Sequence, residues 1–267
     1  MQEWIEMTGL SGPSAAFSQE SLTDFAERMD DLQNSKDVQA RLLPRSLPRS
    51  SNLSCASIYV PAREVGGDFY DWLDFGKDRL GLVIGDVSGK GVAAALQMAT
   101  LQAQLRSHVS LGVRDLGLLI SSVNRLFYEC TAATNYASLF LAEYCEREGV
   151  LRYINCGHPS PLLLRRDGSM ERLDSCATVL ALVREFPCAP LEVRFERGDT
   201  LILYTDGVTE TVGRDGEEFG ELRLMHAAHT HRDLSVPAVL TGILAAVQGF
   251  VMSRPADDFT MLIVRAA

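Results

Sequence analysis

The sequence predicts an α+β fold whose β-strands form antiparallel sheets. Most of the predicted strands follow one another across short turns, and strands connected in this way pair antiparallel. Two internal helical segments and two more before the last strand interrupt the strands without a regular β-α-β alternation, which disfavours a doubly wound parallel sheet. With 267 residues, 46% of them hydrophobic, the chain is long enough for one large domain with a sizeable core.

The strands are predicted from short runs of aliphatic, β-branched and aromatic residues that are bounded by turn residues. Residues 69–75 and 80–84 form a predicted hairpin, and residues 191–195 and 200–204 form a second predicted pair around an Arg-Gly-Asp turn. The complete set of predicted strands is 54–60, 69–75, 80–84, 137–144, 150–155, 161–166, 191–195, 200–204 and 259–264.

The internal helices are predicted from apolar residues that recur every three or four positions. The first covers residues 91–109, and Asp115 begins the second. Two further helices are predicted at 218–230 and 235–252. Residues 175–190 lack a clear period and are predicted to form a loop or flap.

The first part of the chain is predicted to be distinct from a domain at 51–267. Residues 1–19 hold Gly, Ser, Pro and Thr without a period, which indicates a mobile tail. Residues 20–50 are predicted to be a helix and linker, with an apolar stripe of Leu22, Phe25, Met29 and Leu32. Two interpretations of this helix stay open. In the first, the helix lies on its own domain. In the second, residues 21–43 pair with a second subunit in a homodimer or transmit a signal from an upstream protein.

Composition excludes several classes of partner. The formal net charge of −10 disfavours nucleic acid and acidic membrane surfaces. No apolar run approaches the ~18–20 residues that span a bilayer, and the N-terminus lacks the pattern of a signal peptide. The six cysteines include no C-x-x-C pair and are expected to be reduced, mostly buried thiols. A cytoplasmic location is the expected consequence.

Four aspartates stand at turns that follow or precede apolar runs, namely Asp68, Asp86, Asp206 and Asp257. The clearest stretch is 80–91, an apolar run that ends in Asp86 and a turn with three glycines. Each stretch alone also has an ordinary structural explanation, since Asp-Gly is a turn signal and an Asp-Asp pair before a strand is consistent with a loop cap. Carboxylates without His or Cys partners select Mg²⁺ or Mn²⁺. Together the four predict one metal site, and two ions sharing a carboxylate suit phosphate-ester hydrolysis by a metal-activated water, without a covalent intermediate.

Five motifs in order carry a resemblance to a known family. They are Val65-Gly66-Gly67-Asp68-Phe69-Tyr70-Asp71, Gly85-Asp86-Val87-Ser88-Gly89-Lys90-Gly91, Asn155-Cys156-Gly157-His158-Pro159, Tyr204-Thr205-Asp206-Gly207-Val208-Thr209-Glu210 and Asp257-Asp258-Phe259-Thr260. From about residue 52 to its end, the sequence resembles the SpoIIE/RsbU-like branch of the metal-dependent (PPM) serine/threonine phosphatases. Residues 38–44 also resemble the helix that precedes this domain in the family.

The resemblance implies a four-layer αββα sandwich with two Mn²⁺ or Mg²⁺ ions in a cleft at one end. It implies that Asp86 bridges both ions and that Val87 offers its backbone carbonyl. Asp68 would bind one ion, and Asp206 with Asp257 the other. The implied substrate is phosphoserine or phosphothreonine on a STAS-type anti-sigma-factor antagonist, in bacterial partner switching. The helix before the domain often dimerises in this family and controls activity.

Two features depart from the family pattern. Residues 178–182 lack the glycines usual there, which predicts a differently shaped loop. No separate sensor domain precedes the helix in this sequence, so we expect the signal to come from another protein or to be received by residues 1–50.

Several basic residues and histidines are further candidates for site residues. Arg63 and Lys90 are candidates for substrate-phosphate binding. Arg63 is equally explained as a solvated surface residue, and for Lys90 a position that lines the groove without direct phosphate contact is the preferred interpretation. His158 is a candidate proton donor, although a packed turn histidine is the preferred interpretation. Three histidines with ligand-like spacing are interpreted as surface residues, namely His226, His229 and His231.

Two other functions are compatible with parts of the sequence. Gly66-Gly67-Asp68-Phe69 resembles the GGDEF signature of diguanylate cyclases, but that function leaves Asp86, Asp206 and Asp257 unexplained and needs a β-α-β pattern. The alternative function is a catalytically inactive PPM-like scaffold that binds a partner. The presence of every expected metal aspartate disfavours it.

Overall fold

The computed structural model describes residues 19–44, 52–251 and 256–267. The predicted mobile tail, apart from its last residue, and the linker at 45–50 lie outside the described residues. In the described part of the chain, helices and strands follow in the order α1 (Gln19–Leu42), β1 (Leu53–Val60), β2 (Phe69–Asp74), β3 (Arg79–Val87), α2 (Val92–Ser110), α3 (Leu116–Cys130), β4 (Ala137–Cys145), β5 (Val150–Cys156), β6 (Leu162–Leu164), β7 (Met170–Arg172), β8 (Leu191–Arg194), β9 (Thr200–Tyr204), α4 (Asp206–Thr209), α5 (Gly220–His231), α6 (Val236–Phe250) and β10 (Phe259–Ala266).

The described strands form two five-stranded antiparallel sheets, as the sequence predicts. The first sheet has the order β1-β10-β9-β6-β7, and the second has the order β2-β3-β4-β5-β8. Helices α5 and α6 pack on the first sheet, and helices α2 and α3 pack on the second. The result is a four-layer αββα sandwich, so the predicted fold class is confirmed.

Alternate side chains of strand β9 pack into different hydrophobic cores on the two faces of the first sheet. Leu201 and Leu203 belong to the core shared by the two sheets, α2 and α3. Ile202 and Tyr204 belong to a second core beneath α5 and α6. A strand buried on both faces is apolar at every position, which explains why residues 200–204 lack the polar alternation of an exposed strand.

The predicted pairing of residues 191–195 with 200–204 is wrong. Strand β8 is an exposed edge that pairs with β5, as in Leu151 opposite Val193. Strand β9 lies in the other sheet, between β10 and β6. The turn between them carries the chain from one sheet to the other, and the Gly198 amide donates to the Ala266 carbonyl instead of closing a hairpin.

Smaller differences concern short elements. The strand predicted at 161–166 is shorter, and strand β7 follows it as an unpredicted hairpin partner. Helix α4, a single turn, was predicted only as a turn. The 175–190 segment is irregular, as predicted, and is attached by isolated bridges, among them Ala137 to Leu180. Among the described residues, none of the helices combines the length and apolar composition needed to cross a bilayer.

Helix α1 contacts the domain through its C-terminal end. Gln39 is 5% exposed although it is polar, whereas the apolar Val38 beside it is 57% exposed. The Gln39 side chain donates to the Gly66 carbonyl at 2.7 Å and accepts from the Gly66 amide at 3.1 Å and from the Tyr59 hydroxyl at 3.1 Å. The Leu42 carbonyl accepts hydrogen bonds from α2 side chains. The end of α1 therefore holds the turn that precedes Asp68.

We predict that Gln39→Ala lowers the free energy of unfolding by about 1–3 kcal/mol, because it leaves buried polar groups of Gly66 without partners. Urea denaturation of the full chain measures this loss. Gln33→Ala is the matched control, since Gln33 is an exposed residue of the same helix. Equal losses in the two variants would contradict the anchoring role of Gln39.

Candidate active site

The four candidate aspartates come from both sheets and lie at one end of the sandwich. Asp68 immediately precedes β2, and Asp86 is the penultimate residue of β3. Asp206 begins α4 directly after β9, and Asp257 precedes β10. Because β2 pairs with β3 and β9 pairs with β10, each sheet contributes two neighbouring chain segments. Asp86 and Asp257, which are 171 positions apart in the sequence, are brought into electrostatic contact in this way.

Asp68 joins the two sheets. Its carboxylate is 1% exposed, and its Oδ2 accepts hydrogen bonds from the Thr205 hydroxyl at 2.7 Å and the Thr260 hydroxyl at 2.6 Å. Burial raises the pKa of Asp68, and the nearby Asp86 raises it further, against the opposing effect of the two hydroxyls. The fold thus holds a buried acid beside a second acid.

Asp86 is at the centre of the acidic group. Burial raises its pKa to about 7, with further contributions from Asp206, Asp257 and Asp258. Burial also raises the pKa of Asp206, and Asp257 adds to that shift. Asp206 and Asp257 thus make the ionisation of Asp86 more costly, and a bound cation would offset this cost.

The backbone of Val87 lies close to the turn that carries Asp68. A Cβ placed on Gly67 would lie 2.4 Å from the Val87 carbonyl oxygen, so only glycine permits this approach. The Val87 amide also donates to the Gly67 carbonyl at 3.3 Å. Val87, whose backbone carbonyl is predicted to bind a metal ion, is therefore held beside the turn that carries Asp68.

Asp258 has a structural role that the sequence prediction did not assign to it. Its carboxylate is buried and accepts from the amides of Ala62 at 2.8 Å, Gly67 at 2.7 Å and Asp68 at 3.4 Å. It thereby attaches the Asp68 turn to the segment that carries Asp257. Thr205 and Thr260, which contact Asp68, were also not predicted to be site residues, although both lie within the motifs that carry the family resemblance.

We predict that Asp258→Ala destabilises the chain by about 1–3 kcal/mol, because it leaves buried amides of the Asp68 turn without an acceptor. Thermal and urea unfolding measure the effect. Asp215→Ala is the matched control, since Asp215 is an exposed turn residue. An Asp258→Ala chain as stable as this control would show that the amides find other acceptors.

The two candidate phosphate-binding cations occupy different environments. Lys90 Nζ forms an ion pair with Asp257 Oδ2 at 2.7 Å and donates to the Ala256 carbonyl at 2.8 Å. Arg63 is exposed and lies beside the glycine-rich turn, where a Cβ on Gly91 would be 3.5 Å from its Nη1. Lys90 therefore contacts a member of the acidic group, whereas Arg63 lies beside the turn that follows Asp86.

The candidate histidines do not join the acidic group. His158 is 3% exposed, and its Nδ1 lies 2.7 Å from the Ser138 hydroxyl. Burial lowers the pKa of His158 to about 3, so the ring is neutral and packed at physiological pH. Helix α5 carries the other three histidines on the far side of the first sheet, where His226 and His229 are exposed and His231 is half-buried.

The acidic group fits a divalent cation by its chemistry, although it is not preassembled around one. Within the described residues, no three His, Cys, Asp or Glu side chains converge closely enough to form a ready metal site. The donor set is nevertheless carboxylates and a backbone carbonyl, which hard cations prefer. Burial, with a further contribution from neighbouring carboxylates, raises the pKa of Asp86 and Asp206, and Lys90 forms an ion pair with Asp257. An ion would provide the missing positive charge.

An αββα sandwich with an aspartate group at one end of its paired sheets defines the class of PPM-type, or PP2C-type, phosphatase domains. The model of the family described as "Stage II sporulation protein E (SpoIIE)" matches residues 76–267. The chain belongs to the SpoIIE family, as the sequence motifs predict.

Individual relatives agree with this assignment. The chain is 29% identical to Protein IcfG of Synechocystis over 274 residues, which is 92% of this chain and 43% of that protein. It is 27% identical to the phosphoserine phosphatase RsbU of Bacillus subtilis over 244 residues, 90% of this chain and 71% of RsbU. The chain therefore spans less than half of one relative and most of the other.

A solved structure confirms the fold independently. The SiaA-PP2C domain of Pseudomonas aeruginosa superposes with a TM-score of 0.80 at 20% identity. The match covers 91% of this chain and 99% of that domain.

Proposed function

We propose that this chain is a metal-dependent protein phosphatase that hydrolyses phosphoserine or phosphothreonine on a STAS-type anti-sigma-factor antagonist. The observation that carries the proposal is the group of four electrostatically coupled aspartates, two from each sheet, at one end of a PPM-type fold. Membership of the SpoIIE family and the similarity to a phosphoserine phosphatase support the choice of reaction.

The residues have distinct roles in this proposal. Asp86, which interacts with the other acids, would hold two Mn²⁺ or Mg²⁺ ions together with the Val87 carbonyl. Asp68 serves one ion, and Asp206 with Asp257 the other. When bound, two such ions activate a water molecule and neutralise the charge of the phosphoryl group.

Neighbouring polar residues orient the carboxylates of this site and supply positive charge. The hydroxyls of Thr205 and Thr260 fix the orientation of the Asp68 carboxylate. Lys90 holds Asp257 by their ion pair and exchanges this contact for the substrate phosphate when ions occupy the acids. Arg63, exposed at the rim, offers a second positive charge to the phosphate.

Phosphate release from a phosphorylated STAS protein tests the proposal. The full chain is incubated with this substrate and Mn²⁺, with and without chelator, beside an Asp206→Asn variant. We expect release that requires metal and is abolished in the variant. Binding of the phosphoprotein without release would instead establish the inactive scaffold, and a fully active variant would remove Asp206 from the site.

We also propose that residues 21–43 form a homodimer or receive an upstream signal. The exposure of Val38 (57%) and Met29 (44%) on α1 supports a further contact for this helix. Sedimentation equilibrium of the full chain is expected to show a dimer that Val38→Asp weakens. A chain that stays monomeric at every concentration would exclude dimerisation.

A further inference from the structure

Three large apolar side chains are exposed near the end of strand β3, where Asp86 lies. Tyr136 directly precedes β4, and its backbone exchanges hydrogen bonds with Ser88 in the turn after β3. The Ser88 amide donates to the Tyr136 carbonyl at 2.9 Å, and the Tyr136 amide donates to Ser88 Oγ at 3.0 Å. Leu182 and Val183 lie in the irregular segment between β7 and β8. All three side chains are exposed, Leu182 by 59%, and we call them the apolar patch.

Backbone pairing brings the two parts of the apolar patch together. The Ala137 amide donates to the Leu180 carbonyl at 3.1 Å, and the Leu180 amide donates to the Ala137 carbonyl at 2.8 Å. Ala137 follows Tyr136 directly and also pairs with Val87 of β3. Leu182 is two residues beyond Leu180 in the chain. The apolar patch therefore borders the strand end that contains two of the candidate metal ligands.

A buried asparagine holds the backbone that exposes Leu182 and Val183. Ala181 is buried and has a φ of +64°, a left-handed value that a residue with a Cβ rarely adopts. Its amide donates to Asn124 Oδ1 at 2.8 Å, and Asn124 Nδ2 donates to the carbonyls of Val183 at 3.0 Å and Arg184 at 2.9 Å. Asn124 belongs to α3 and is completely buried.

This arrangement indicates a function for the exposed residues. A strained backbone persists only where its surroundings fix it, and such strain concentrates at functional sites. Here three hydrogen bonds from one buried side chain fix the strained residue Ala181, and the next two residues expose apolar side chains to solvent. A surface that is already rigid also loses little conformational entropy when a partner covers it.

We propose that the apolar patch docks the phosphoprotein substrate, by contact with an apolar surface of the folded substrate beside its phosphorylated residue. The role rests on the proposed function, because it concerns the substrate of that same site. Position favours this occupant, since a folded protein that brings a phosphorylated side chain to the acidic group must also cover the surface that borders it. Charge favours an apolar contact, because a chain with a net charge of −10 does not attract an anionic phosphoprotein by its overall field.

The patch gives the proposed enzyme a preference between substrates. A folded phosphoprotein spans both the acidic group and the patch, whereas a small phosphate ester occupies only the acidic group. Contacts with Tyr136 and Leu182 therefore contribute affinity for the protein and none for the ester. Loss of these contacts should be visible as a difference between the two substrates.

Turnover of two substrates tests the docking surface. For each chain, kcat/KM is measured with Mn²⁺ on the phosphorylated STAS protein and on p-nitrophenyl phosphate. We expect Leu182→Asp and Tyr136→Ala to lower kcat/KM on the protein at least about tenfold more than on the ester, as loss of a packed interface residue does, mainly through KM. Leu111→Asp is the matched control, because Leu111 is 84% exposed and follows the end of α2 remote from the Asp86 turn. It should affect both substrates equally.

Binding of the phosphoprotein, measured by isothermal titration calorimetry in chelator, separates this proposal from the proposed function. If no chain released phosphate but Leu182→Asp lowered the affinity about tenfold, the phosphatase function would be contradicted and the docking surface supported. Native turnover and affinity for the phosphoprotein in both Leu182→Asp and Tyr136→Ala would overturn the docking surface and leave the function intact. An equal loss in Leu111→Asp, or a native chain that does not bind the phosphoprotein, would overturn it as well.

Discussion

An Asp86→Asn variant is expected to lose at least about a hundredfold of the metal-dependent phosphatase activity, since loss of a residue that orients or holds a metal has effects of this size. The same variant is expected to be more stable than the native chain in the absence of metal. The two effects have one cause, because Asp86 lies among Asp206, Asp257 and Asp258 and is costly to ionise without a cation.

The stability gain should depend on pH in a defined direction. The pKa of Asp86 is raised from its ordinary 3.8 to about 7 in the folded chain, so ionisation favours the unfolded state. Below about pH 4 both states are protonated and the variant has little advantage. The advantage should grow as the pH rises from about 4 to about 7, and it should be constant at higher pH.

Melting temperatures of both chains in chelator, measured from pH 4 to pH 8, test this expectation. Asp233→Asn is the matched control, because Asp233 is an exposed aspartate in the loop between α5 and α6. An Asp86→Asn variant that is equally destabilised at every pH would contradict this expectation. It would show that Asp86 stabilises the fold through native contacts and that its charge does not destabilise it.

A Gly207→Ala variant is expected to lose about 1–3 kcal/mol of unfolding free energy, the usual cost of inserting a group into a packed site. Gly207 follows Asp206 in helix α4, and its added Cβ would lie 2.0 Å from the Asp258 carbonyl oxygen. This neighbour is backbone, so relief requires the segment that carries Asp257 to move away from Asp206. Activity should therefore require a higher Mn²⁺ concentration in the variant.

Gly249→Ala is the matched control for this substitution. Gly249 lies in helix α6, and an added Cβ meets no atom within 4 Å, so we expect a neutral or slightly stabilising effect. Urea denaturation and the Mn²⁺ dependence of phosphate release measure both variants. A native Mn²⁺ requirement in Gly207→Ala would mean that the spacing of Asp206 and Asp257 does not matter.

The fold class could be predicted from sequence because its signals are local. Apolar runs and short turns identify strands and helices at nearly their observed bounds, and motif order indicates the family. The error at β8 and β9 arose because a turn after a strand looks the same whether the chain returns beside that strand or crosses to the other sheet. Only the partners of each strand, β5 for one and β10 for the other, distinguish these cases.

The site was only partly predictable for a related reason. The aspartates are marked by strand ends and glycines, but neighbouring residues with the same chemistry have different roles. Asp258 caps a turn far away in sequence, while Asp257 beside it pairs with Lys90. Gln39 likewise anchors helix α1 through its hydrogen bonds to Gly66. A polar residue in a helix gives no local sequence signal that identifies such a distant partner.

The binding of Mn²⁺ to the full chain tests most directly whether the coupled aspartates form a metal site. Titration followed by electron paramagnetic resonance of free Mn²⁺ gives the stoichiometry for the native chain, Asp86→Asn and the Asp233→Asn control. We predict that the native chain and the control each bind two ions, as a carboxylate-bridged pair requires, and that Asp86→Asn binds fewer. A native chain that binds no Mn²⁺, or an Asp86→Asn variant that binds it with unchanged stoichiometry and affinity, would contradict the proposed metal site.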